Sequence, residues 1–428
     1  MTKDFDIILF GATGFTGQIV ARFLLQDAES AVDGPNALKW AIAGRNAKKL
    51  EDVKRTLKQK VPSVSASIID SIPVVVADVK NEQQVVDMVK RTKVLMTLAG
   101  PYAFYGEPIV KACAENGVHY CDLTGELLWI DKMWGKYNDV AKKTGAVLIH
   151  SCGVTAVASD MAVALLADSV RKNKQSETSA VTLCYTQMKG GLSGGAMAGV
   201  FNMMETASMD DLNKMNDPFF LTDAKTIERK NKAGLTKLNT GSFGIKKEKD
   251  LKLWSSYFLY GGANSATVHR TNFLLNDAYS DKFVYRERSA IGGFFSQIGN
   301  TIGTSFGGMF LFFKWTRALI KLSTPKPGEG PPEEEMKKNE FSAKAAAYDA
   351  NGKLAARLTM AGKGDPGYIV TSYIVMECAI ALAKGEFAAP CAGFQTPASA
   401  LGLNLAKRLN DKKIVAFDVK TSRDPPLE

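Results

Sequence analysis

The segment IILFGATGFTG, residues 7–17, joins a short apolar run to three regularly spaced glycines, and a helical pattern follows at once. A strand, a glycine-rich turn and a helix in this order are typical of a dinucleotide-binding Rossmann domain. In such a loop the first glycine permits the tight turn, the second lets the backbone approach a pyrophosphate, and the third lets the helix pack closely on the strand. The helix N-terminus adds free N–H groups and a partial positive charge. We therefore predict a phosphate loop formed by Gly11, Ala12, Thr13, Gly14, Phe15, Thr16 and Gly17.

Residues 1–152 continue the alternation of short apolar runs with segments of helical spacing, which indicates a doubly wound parallel sheet. A chain of 428 residues is too long for one ordinary core, so we expect this Rossmann domain to be followed by a second domain. The predicted fold class is α/β. The candidate strands of the first domain are 6–10, 40–43, 73–77, 94–99, 118–123 and 146–150.

The choice between NAD and NADP is made where the second strand of such a domain ends. Enzymes that use NAD place Asp or Glu there, whereas this chain has the sequence AGRN and no acidic residue before Glu51. A carboxylate would repel the 2′-phosphate of NADP, whereas a guanidinium group binds it with a fork of donors. We therefore predict NADP(H) as the cofactor. Outside the phosphate loop, the predicted cofactor-binding residues are Arg45, Asn46, Lys48, Asp78, Ala99, Gly100 and Pro101.

The pattern changes after residue 152 and predicts a second, α+β domain with a mixed sheet over 153–390. Residues 158–170 have helical spacing, and 179–188 alternate as a strand does. Residues 341–362 form two strand patterns around an Asn-Gly turn, and 368–385 form a helix that ends at a glycine. We expect the C-terminal segment, 391–428, to return to the Rossmann domain.

Residues 289–313 contain no charge and are rich in phenylalanine, and Lys314, Arg317 and Lys321 follow at roughly helical spacing. The stretch is long enough to span a bilayer, but its six glycines and its polar residues weaken insertion. We predict that 289–322 holds the protein on a membrane or lipid-droplet surface without crossing it. A spanning helix and a buried or homodimer-forming segment are the alternatives. Residues 325–340, rich in proline and charge, are typical of an exposed linker.

The overall composition, with 46% hydrophobic and 23% charged residues, is that of a soluble globular protein. The net charge of +10 fits phosphate-bearing ligands, an anionic membrane surface or simple solubility, and we predict no nucleic-acid partner. Six cysteines without paired spacing and only three histidines predict no metal site and reduced thiols. The first strand begins too early to leave room for a signal peptide, so we expect an intracellular protein, on a lipid droplet or membrane or otherwise cytoplasmic.

Four segments together give the chain a family resemblance. With GATGFTG, AGRN, residues 100–126 (GPYAFYGEPIVKACAENGVHYCDLTGE) and residues 367–382 (GYIVTSYIVMECAIAL), it resembles saccharopine dehydrogenase-like oxidoreductases. That family is also similar to bacterial trans-acting enoyl reductases of glycolipid synthesis. The resemblance implies a Rossmann domain, an inserted mixed-sheet domain and a return to the first domain, which 393–409 fit. It also implies an association with lipid droplets and membranes, as in eukaryotic relatives.

Two departures separate the chain from saccharopine-metabolising enzymes. The Asp and Ser that the family usually has after Gly153 are missing, and Ala196 and Gly199 replace two hydroxyl side chains. A lysine-pathway activity is therefore disfavoured, and we predict a reductase of a lipid or other apolar carbonyl or enoyl compound. Tyr102 and Tyr105, in the loop after the fourth strand, are the candidate proton donors. The alternative is a non-catalytic NADP-binding protein of lipid surfaces, which the lost polar residues also fit.

Overall fold

The N-terminal third of the chain forms six neighbouring strands of a parallel sheet, as its alternating pattern predicts. The computed structural model of the protein describes residues 3–27, 29, 37–190, 194–240, 244–323 and 329–421. All six strands predicted for the first domain are present, and their register is parallel throughout. They are β1 (Phe5–Phe10), β2 (Trp40–Gly44), β3 (Val74–Val76), β4 (Thr92–Thr97), β5 (His119–Asp122) and β6 (Val147–Ile149).

Helices cover both faces of this sheet, which explains why strands such as β1 and β2 are almost wholly apolar and buried. Each helix returns the chain to the edge at which the next parallel strand begins. The helices of the first domain are α1 (Phe15–Gln26), α2 (Ala47–Lys60), α3 (Ala66–Ser71), α4 (Glu82–Lys90), α5 (Tyr102–Tyr105), α6 (Glu107–Asn116) and α7 (Leu127–Thr144).

The second domain is built on a mixed sheet. Its central strand pairs in parallel on one side and antiparallel on the other, and the predicted hairpin forms two long antiparallel strands. The strands are β7 (Thr178–Met188), β8 (Lys246–Glu248), β9 (Leu253–Tyr257), β10 (Val284–Ser289), β11 (Glu340–Asp349) and β12 (Leu354–Lys363). The helices are α8 (Val154–Lys174), α9 (Gly194–Thr206), α10 (Met209–Met215), α11 (Ala224–Lys232), α12 (Leu235–Thr240), α13 (Gly261–Leu274), α14 (Phe294–Phe312), α15 (Lys314–Ser323) and α16 (Glu333–Lys338), with a short 3₁₀ turn at Lys249–Leu251.

The C-terminal part of the chain is shared between the two sheets. After a π-helical turn at Pro366–Val370 come α17 (Thr371–Lys384), β13 (Gly393–Gln395), α18 (Pro397–Asp411) and β14 (Ala416–Thr421). Strand β13 pairs in parallel with β6, so the chain does return to the first sheet, whose order is β13-β6-β5-β4-β1-β2-β3. Strand β14 instead pairs with β12, and the second sheet has the order β14-β12-β11-β7-β10-β9-β8.

Two of the predicted domain limits therefore need correction. Helix α17, assigned from the sequence to the second domain, packs against β1, β4 and β5 of the first sheet. Strand β14, assigned to the returning segment, extends the second sheet. For α17 the local pattern predicted the correct type of element, because periodicity records that a face is buried but not which surface buries it.

The predicted exposed linker is wrong for its second half. Residues 325–328 lie outside the described part of the chain, but 333–338 form α16, in which Met336 is buried. The N–H of Asp365 donates to the carbonyl of Met336 at 2.6 Å. Glu333 pairs with Arg22 of α1, so this segment is fastened to the first domain.

The uncharged segment 289–313 begins at the end of β10 and continues as α14. Gln297 on this helix is fully buried, whereas Phe295 is 83% exposed. Arg317, which the sequence suggested for contact with anionic head groups, is buried instead, and the side chains of 308–312 and Lys321 lie outside the described residues. In the described part of the chain one helical stretch, Pro366–Lys384, is long and apolar enough to cross a membrane, and it is mostly buried in the protein core.

Candidate functional site

The predicted phosphate loop connects β1 to α1 in a conformation that requires glycine at two positions. Gly11 has a φ of +87°, and a Cβ there would lie 2.9 Å from the backbone N of Ala99. A Cβ at Gly17 would lie 2.2 Å from the carbonyl oxygen of Gly11 and 2.8 Å from the Cα of Ala12. These distances are too short for any side chain, so the turn and the close packing of helix on strand both depend on glycine.

Gly14 differs because its side is open. Among the described residues, the one atom within 4 Å of a Cβ at this position would be the carbonyl oxygen of Gly11 at 3.3 Å. Gly14 is the N-cap of α1, with an extended backbone, and no side chain caps the helix. The first turn of α1 also carries no acidic residue. Free N–H groups, a helix dipole and open space at one point are the requirements of a pyrophosphate site, so the loop fits a dinucleotide.

The basic residues at the end of β2 lie next to this loop because β1 and β2 are neighbours, with Phe10 opposite Ala43. Arg45 and Lys48 are exposed, and within the described residues no ion pair or side-chain hydrogen bond involves Arg45. Asn46 is the N-cap of α2, where its Oδ1 accepts a hydrogen bond from the N–H of Lys49 at 3.0 Å. The structure thus brings a free guanidinium group beside the phosphate loop and gives Asn46 a capping role.

A second loop approaches the phosphate loop from β4. The close contact between Gly11 and Ala99 joins the two loops, and the N–H of Leu98 donates to the carbonyl of Phe10 at 2.8 Å. The Gly100–Pro101 peptide is cis. Asp78 lies farther along the same edge of the sheet, where its Oδ1 accepts from the N–H of Lys80 at 3.0 Å and shapes the turn after β3.

The two candidate tyrosines have different environments. Tyr102 is buried; its hydroxyl donates to the carbonyl of Thr97 at 3.1 Å and accepts from the N–H of Leu123 at 3.2 Å. Burial and the nearby Asp122 hold the pKa of Tyr102 well above its usual value. This geometry does not support the prediction that Tyr102 donates a proton, because both hydrogen-bonding directions of its hydroxyl are used within the protein. Tyr105 is only half-buried and remains available to a ligand.

Sequence reasoning missed a buried carboxylate that organises the ends of β5 and β6. Asp122 accepts hydrogen bonds from the hydroxyl of Tyr120 at 2.7 Å and from the N–H groups of Thr124 and Ser151, both at 3.0 Å. Its Oδ2 lies 2.6 Å from Nδ1 of His150. Asp122 lies within the segment 100–126 on which the family resemblance depends, but only the fold reveals that four groups from two strand ends converge on its side chain.

Glu126 holds the loop that carries the tyrosines. Its two carboxylate oxygens accept from the N–H groups of Tyr102 at 2.8 Å and Ala103 at 2.9 Å, at the start of α5. Burial raises the pKa of Glu126, although these two hydrogen bonds oppose the shift. Helix α9 of the second domain lies beside this group, since a Cβ at Gly199 would be 3.8 Å from Oε1 of Glu126. Glu126 therefore fixes the loop after β4 and lies close to a helix of the second domain.

The chain has relatives among known proteins over nearly its whole length. The saccharopine dehydrogenase NADP binding domain family matches residues 7–149, which contain the phosphate loop and the loops after β2, β3, β4 and β5. A protein of Mycobacterium tuberculosis named as a trans-acting enoyl reductase is 31% identical over 419 residues, which cover 95% of this chain and 96% of that protein. Another trans-acting enoyl reductase of the same species is 30% identical, with 98% and 99% coverage.

Among solved structures, the apo saccharopine dehydrogenase (L-Glu forming) of Saccharomyces cerevisiae aligns with a TM-score of 0.47 and 11% identity. The alignment covers 97% of this chain and 99% of that structure.

Proposed function

Because the chain belongs to the saccharopine dehydrogenase-like oxidoreductase family, which includes trans-acting enoyl reductases, we propose that it reduces a lipid or another apolar carbonyl or enoyl compound. The cofactor is NADP(H), as the matched NADP-binding domain indicates. Bound NADPH supplies a hydride, so the protein has to position the cofactor, exclude water and deliver a proton.

The residues of the first domain divide these tasks. The N–H groups at the start of α1 hold the pyrophosphate against Gly14, and Arg45 binds the 2′-phosphate with Lys48 close by. Glu126 fixes the backbone at Tyr102 and Ala103, and this positions the loop that ends in Tyr105. Tyr105 then donates the proton that a carbonyl or enoyl group takes up when hydride adds to it.

The proposal that the substrate is apolar is supported by the exposed face of α14 and α15. This face, which we call the apolar surface, has at its ends two side chains that are 83% and 85% exposed, Phe295 and Leu322. Exposed apolar side chains clustered on a helix face are typical of a protein or membrane interaction site. The described members of the apolar surface are Phe295, Ile302, Phe306, Trp315, Leu319 and Leu322.

The opposite face of α14 is polar and is attached to the protein. Oε1 of Gln297 accepts from the hydroxyl of Ser256 at 2.7 Å, and Nδ2 of Asn300 donates to the same hydroxyl oxygen at 2.8 Å. Asn300 also donates to the carbonyl of Tyr257 at 3.1 Å. A helix attached to β9 by its polar side and open on its apolar side lies along a lipid surface rather than across it. We therefore place the substrate in, or at, a membrane or lipid-droplet surface.

Sedimentation with vesicles tests the lipid surface. Burying a phenylalanine contributes about 1.5–3 kcal/mol, so Phe295→Glu with Phe306→Glu should weaken binding to phosphatidylserine-containing vesicles by more than about tenfold. Met209→Glu, which changes an exposed apolar side chain on α10, is the control and should bind as the unchanged protein does. Vesicle binding that is absent in the unchanged protein, or equal in both variants, would rule the surface out.

Activity is tested separately from lipid binding. NADPH oxidation is followed with lipid extracts and with individual enones and enals presented in detergent micelles. Turnover should appear with at least one such compound, should be absent with saccharopine, and should fall about 10²–10⁴-fold in Tyr105→Phe, the range for loss of a general acid. If NADPH binds but no apolar compound is reduced, the non-catalytic NADP-binding protein becomes the better interpretation.

A further inference from the structure

A groove separate from the cofactor site lies between α1 and α2 and is closed by the segment that leads into α16. Its volume is about 230 Å³. Apolar side chains at helical spacing form its walls, among them Ile19 of α1 and Leu57 of α2, and Met336 closes it. Phe15, the first residue of α1, lies at one end and gives the groove a border with the phosphate loop.

The other end of the groove is cationic. Helices α1 and α2 follow neighbouring parallel strands, so they run in the same direction and their C-terminal halves lie side by side. Arg22 and Lys60 come three residues after Ile19 and Leu57, and they meet at the same carboxylate, that of Glu333. Nη1 of Arg22 is 2.7 Å and Nζ of Lys60 is 2.8 Å from its two oxygens. These two cations hold the pKa of Glu333 at about 2.

Within the described residues, the charges at this end of the groove do not balance, and one buried hydrogen-bond donor has no partner. Lys337 also pairs with Glu333 at 3.5 Å and with Glu334 at 3.0 Å, so three cations and two carboxylates leave a net charge of one positive unit at this end of the groove. Nε of Arg22 is buried and has no hydrogen-bond partner in the described part of the chain. A buried donor without an acceptor is costly, and buried donors in native proteins are almost always satisfied by protein, water or ligand.

We propose that this groove binds a small carboxylic acid anion with an apolar tail. The carboxylate pairs with the guanidinium group of Arg22, and the tail lies between α1 and α2 in the direction of Phe15. Glu333 occupies Nη1 of Arg22, whereas Nε has no hydrogen-bond partner among the described residues, so the planar guanidinium group retains a donor for a second carboxylate. The volume lies below that of pockets for drug-sized ligands, which indicates a short or medium chain. This proposal does not depend on the proposed function.

Isothermal titration with sodium octanoate tests the groove in the full-length protein saturated with NADPH. Octanoate should bind, and 1-octanol, which has the same tail without the charge, should bind at least about tenfold more weakly. Arg22→Met should weaken octanoate binding by a similar factor. Arg55→Met is the matched control, because Arg55 is an exposed arginine of α2 that pairs only with Asp52 among the described residues, and it should leave octanoate binding unchanged.

A second variant guards against indirect effects of Arg22→Met, which also breaks the contact with Glu333. Thr56→Trp fills the groove and leaves Arg22, Lys60 and Glu333 in place, so it should abolish octanoate binding while NADPH binding and the melting temperature are maintained. Octanoate binding that is unaffected by Thr56→Trp would place the ligand elsewhere, for example in the substrate site, and would overturn the proposal. If the unchanged protein does not bind octanoate below about 10 mM, any affinity is too weak for a specific site, and this result would also overturn the proposal.

Discussion

At the scale of single residues, Gly14 and Gly17 are glycines for different reasons. Gly17 lies against the backbone of its own loop, with the carbonyl oxygen of Gly11 only 2.2 Å from where a Cβ would be. Gly14 has an ordinary extended backbone with φ −75° and faces open space. The fold therefore requires glycine at 17, whereas at 14 glycine is needed only for the pyrophosphate contact that we propose.

This difference predicts opposite outcomes for two similar substitutions. Gly14→Val should abolish NADPH binding with little change in the free energy of unfolding, because the new side chain occupies the place of the pyrophosphate. Gly17→Val should lower the free energy of unfolding by about 1–3 kcal/mol or more, since it forces backbone atoms apart. Urea unfolding and NADPH fluorescence measure the two effects. If Gly14→Val still binds NADPH, the phosphate loop has been assigned wrongly.

Arg45 gives a second prediction at this scale. Its side chain is exposed and has no ion-pair partner within the described residues, so its removal should not disturb the fold. Arg45→Ala should weaken NADPH binding by about 1.5–3 kcal/mol, the value of a charge-assisted hydrogen bond, and should leave NADH binding unchanged. Calorimetry with both cofactors measures this, and Arg55→Ala is the control for loss of one positive charge. Equal losses for NADPH and NADH would contradict a contact with the 2′-phosphate.

At the scale of elements, α18 is held to α1 and α17 by an ion cluster. Nε of Arg408 donates to the fully buried Glu377 at 2.9 Å, and its Nη1 donates to Glu386 at 3.1 Å. Arg408 also pairs with Glu29, which follows α1. One guanidinium group of α18 thus contacts α17, the loop that follows α17 and Glu29 after α1, and these contacts hold the C-terminal segment to the first domain.

Removal of this arginine should be costly. Arg408→Met leaves the carboxylate of Glu377 buried with Lys412 as its remaining cationic partner, so the free energy of unfolding should fall by about 3–5 kcal/mol. Lys407→Met removes an exposed lysine that pairs with Asp411 one turn along the same helix, and should cost less than about 1 kcal/mol. Chemical denaturation compares the two. Similar small losses in both variants would show that the cluster contributes little to stability.

At the scale of the whole molecule, a buried acidic side chain links two helices of the second domain to the C-terminal helix α18. Asp160 of α8 accepts from the hydroxyl of Thr271 at 2.6 Å and from the N–H of Ala398, at the start of α18, at 2.9 Å. Burial raises the pKa of Asp160 to about 7, and it does the same to Glu287 on β10. The junction between the domains therefore contains an acid that ionises near neutral pH.

Because the pKa of Asp160 is higher in the folded protein than in the unfolded chain, ionisation of this side chain should destabilise the fold. The unfolded chain ionises an aspartate near pH 4 and the folded one near 7, so the stabilisation is complete below about pH 4 and is lost as the pH rises to about 7. Asp160→Asn removes this ionisable group and with it the loss of stability on ionisation. The melting temperature of the variant should therefore rise relative to that of the unchanged protein as the pH goes from about 5 to about 8. Asp139→Asn, an exposed site on α7, controls for the charge change. A constant difference across this pH range would contradict the buried titration.

Local patterns in the sequence were sufficient for the first domain and its cofactor. Six strands, the phosphate loop and the preference for NADP(H) all depend on residues that are close together in the chain, such as Gly11 and Gly17 or the AGRN segment. Alternation and glycine spacing are set by backbone geometry, and charge at the end of β2 is set by composition. These properties can be read without knowing any long-range contact.

Only the tertiary structure decided which surfaces meet. In the structure α17 packs on the first sheet and β14 pairs within the second. The end of the predicted linker forms a docked helix, and the hydroxyl of Tyr102 is buried. The tertiary structure also assembles the groove at Arg22 from segments 311 residues apart. The physical reason is that a sequence pattern records how much of a side chain is buried, whereas its partner is chosen by packing and pairing among distant elements.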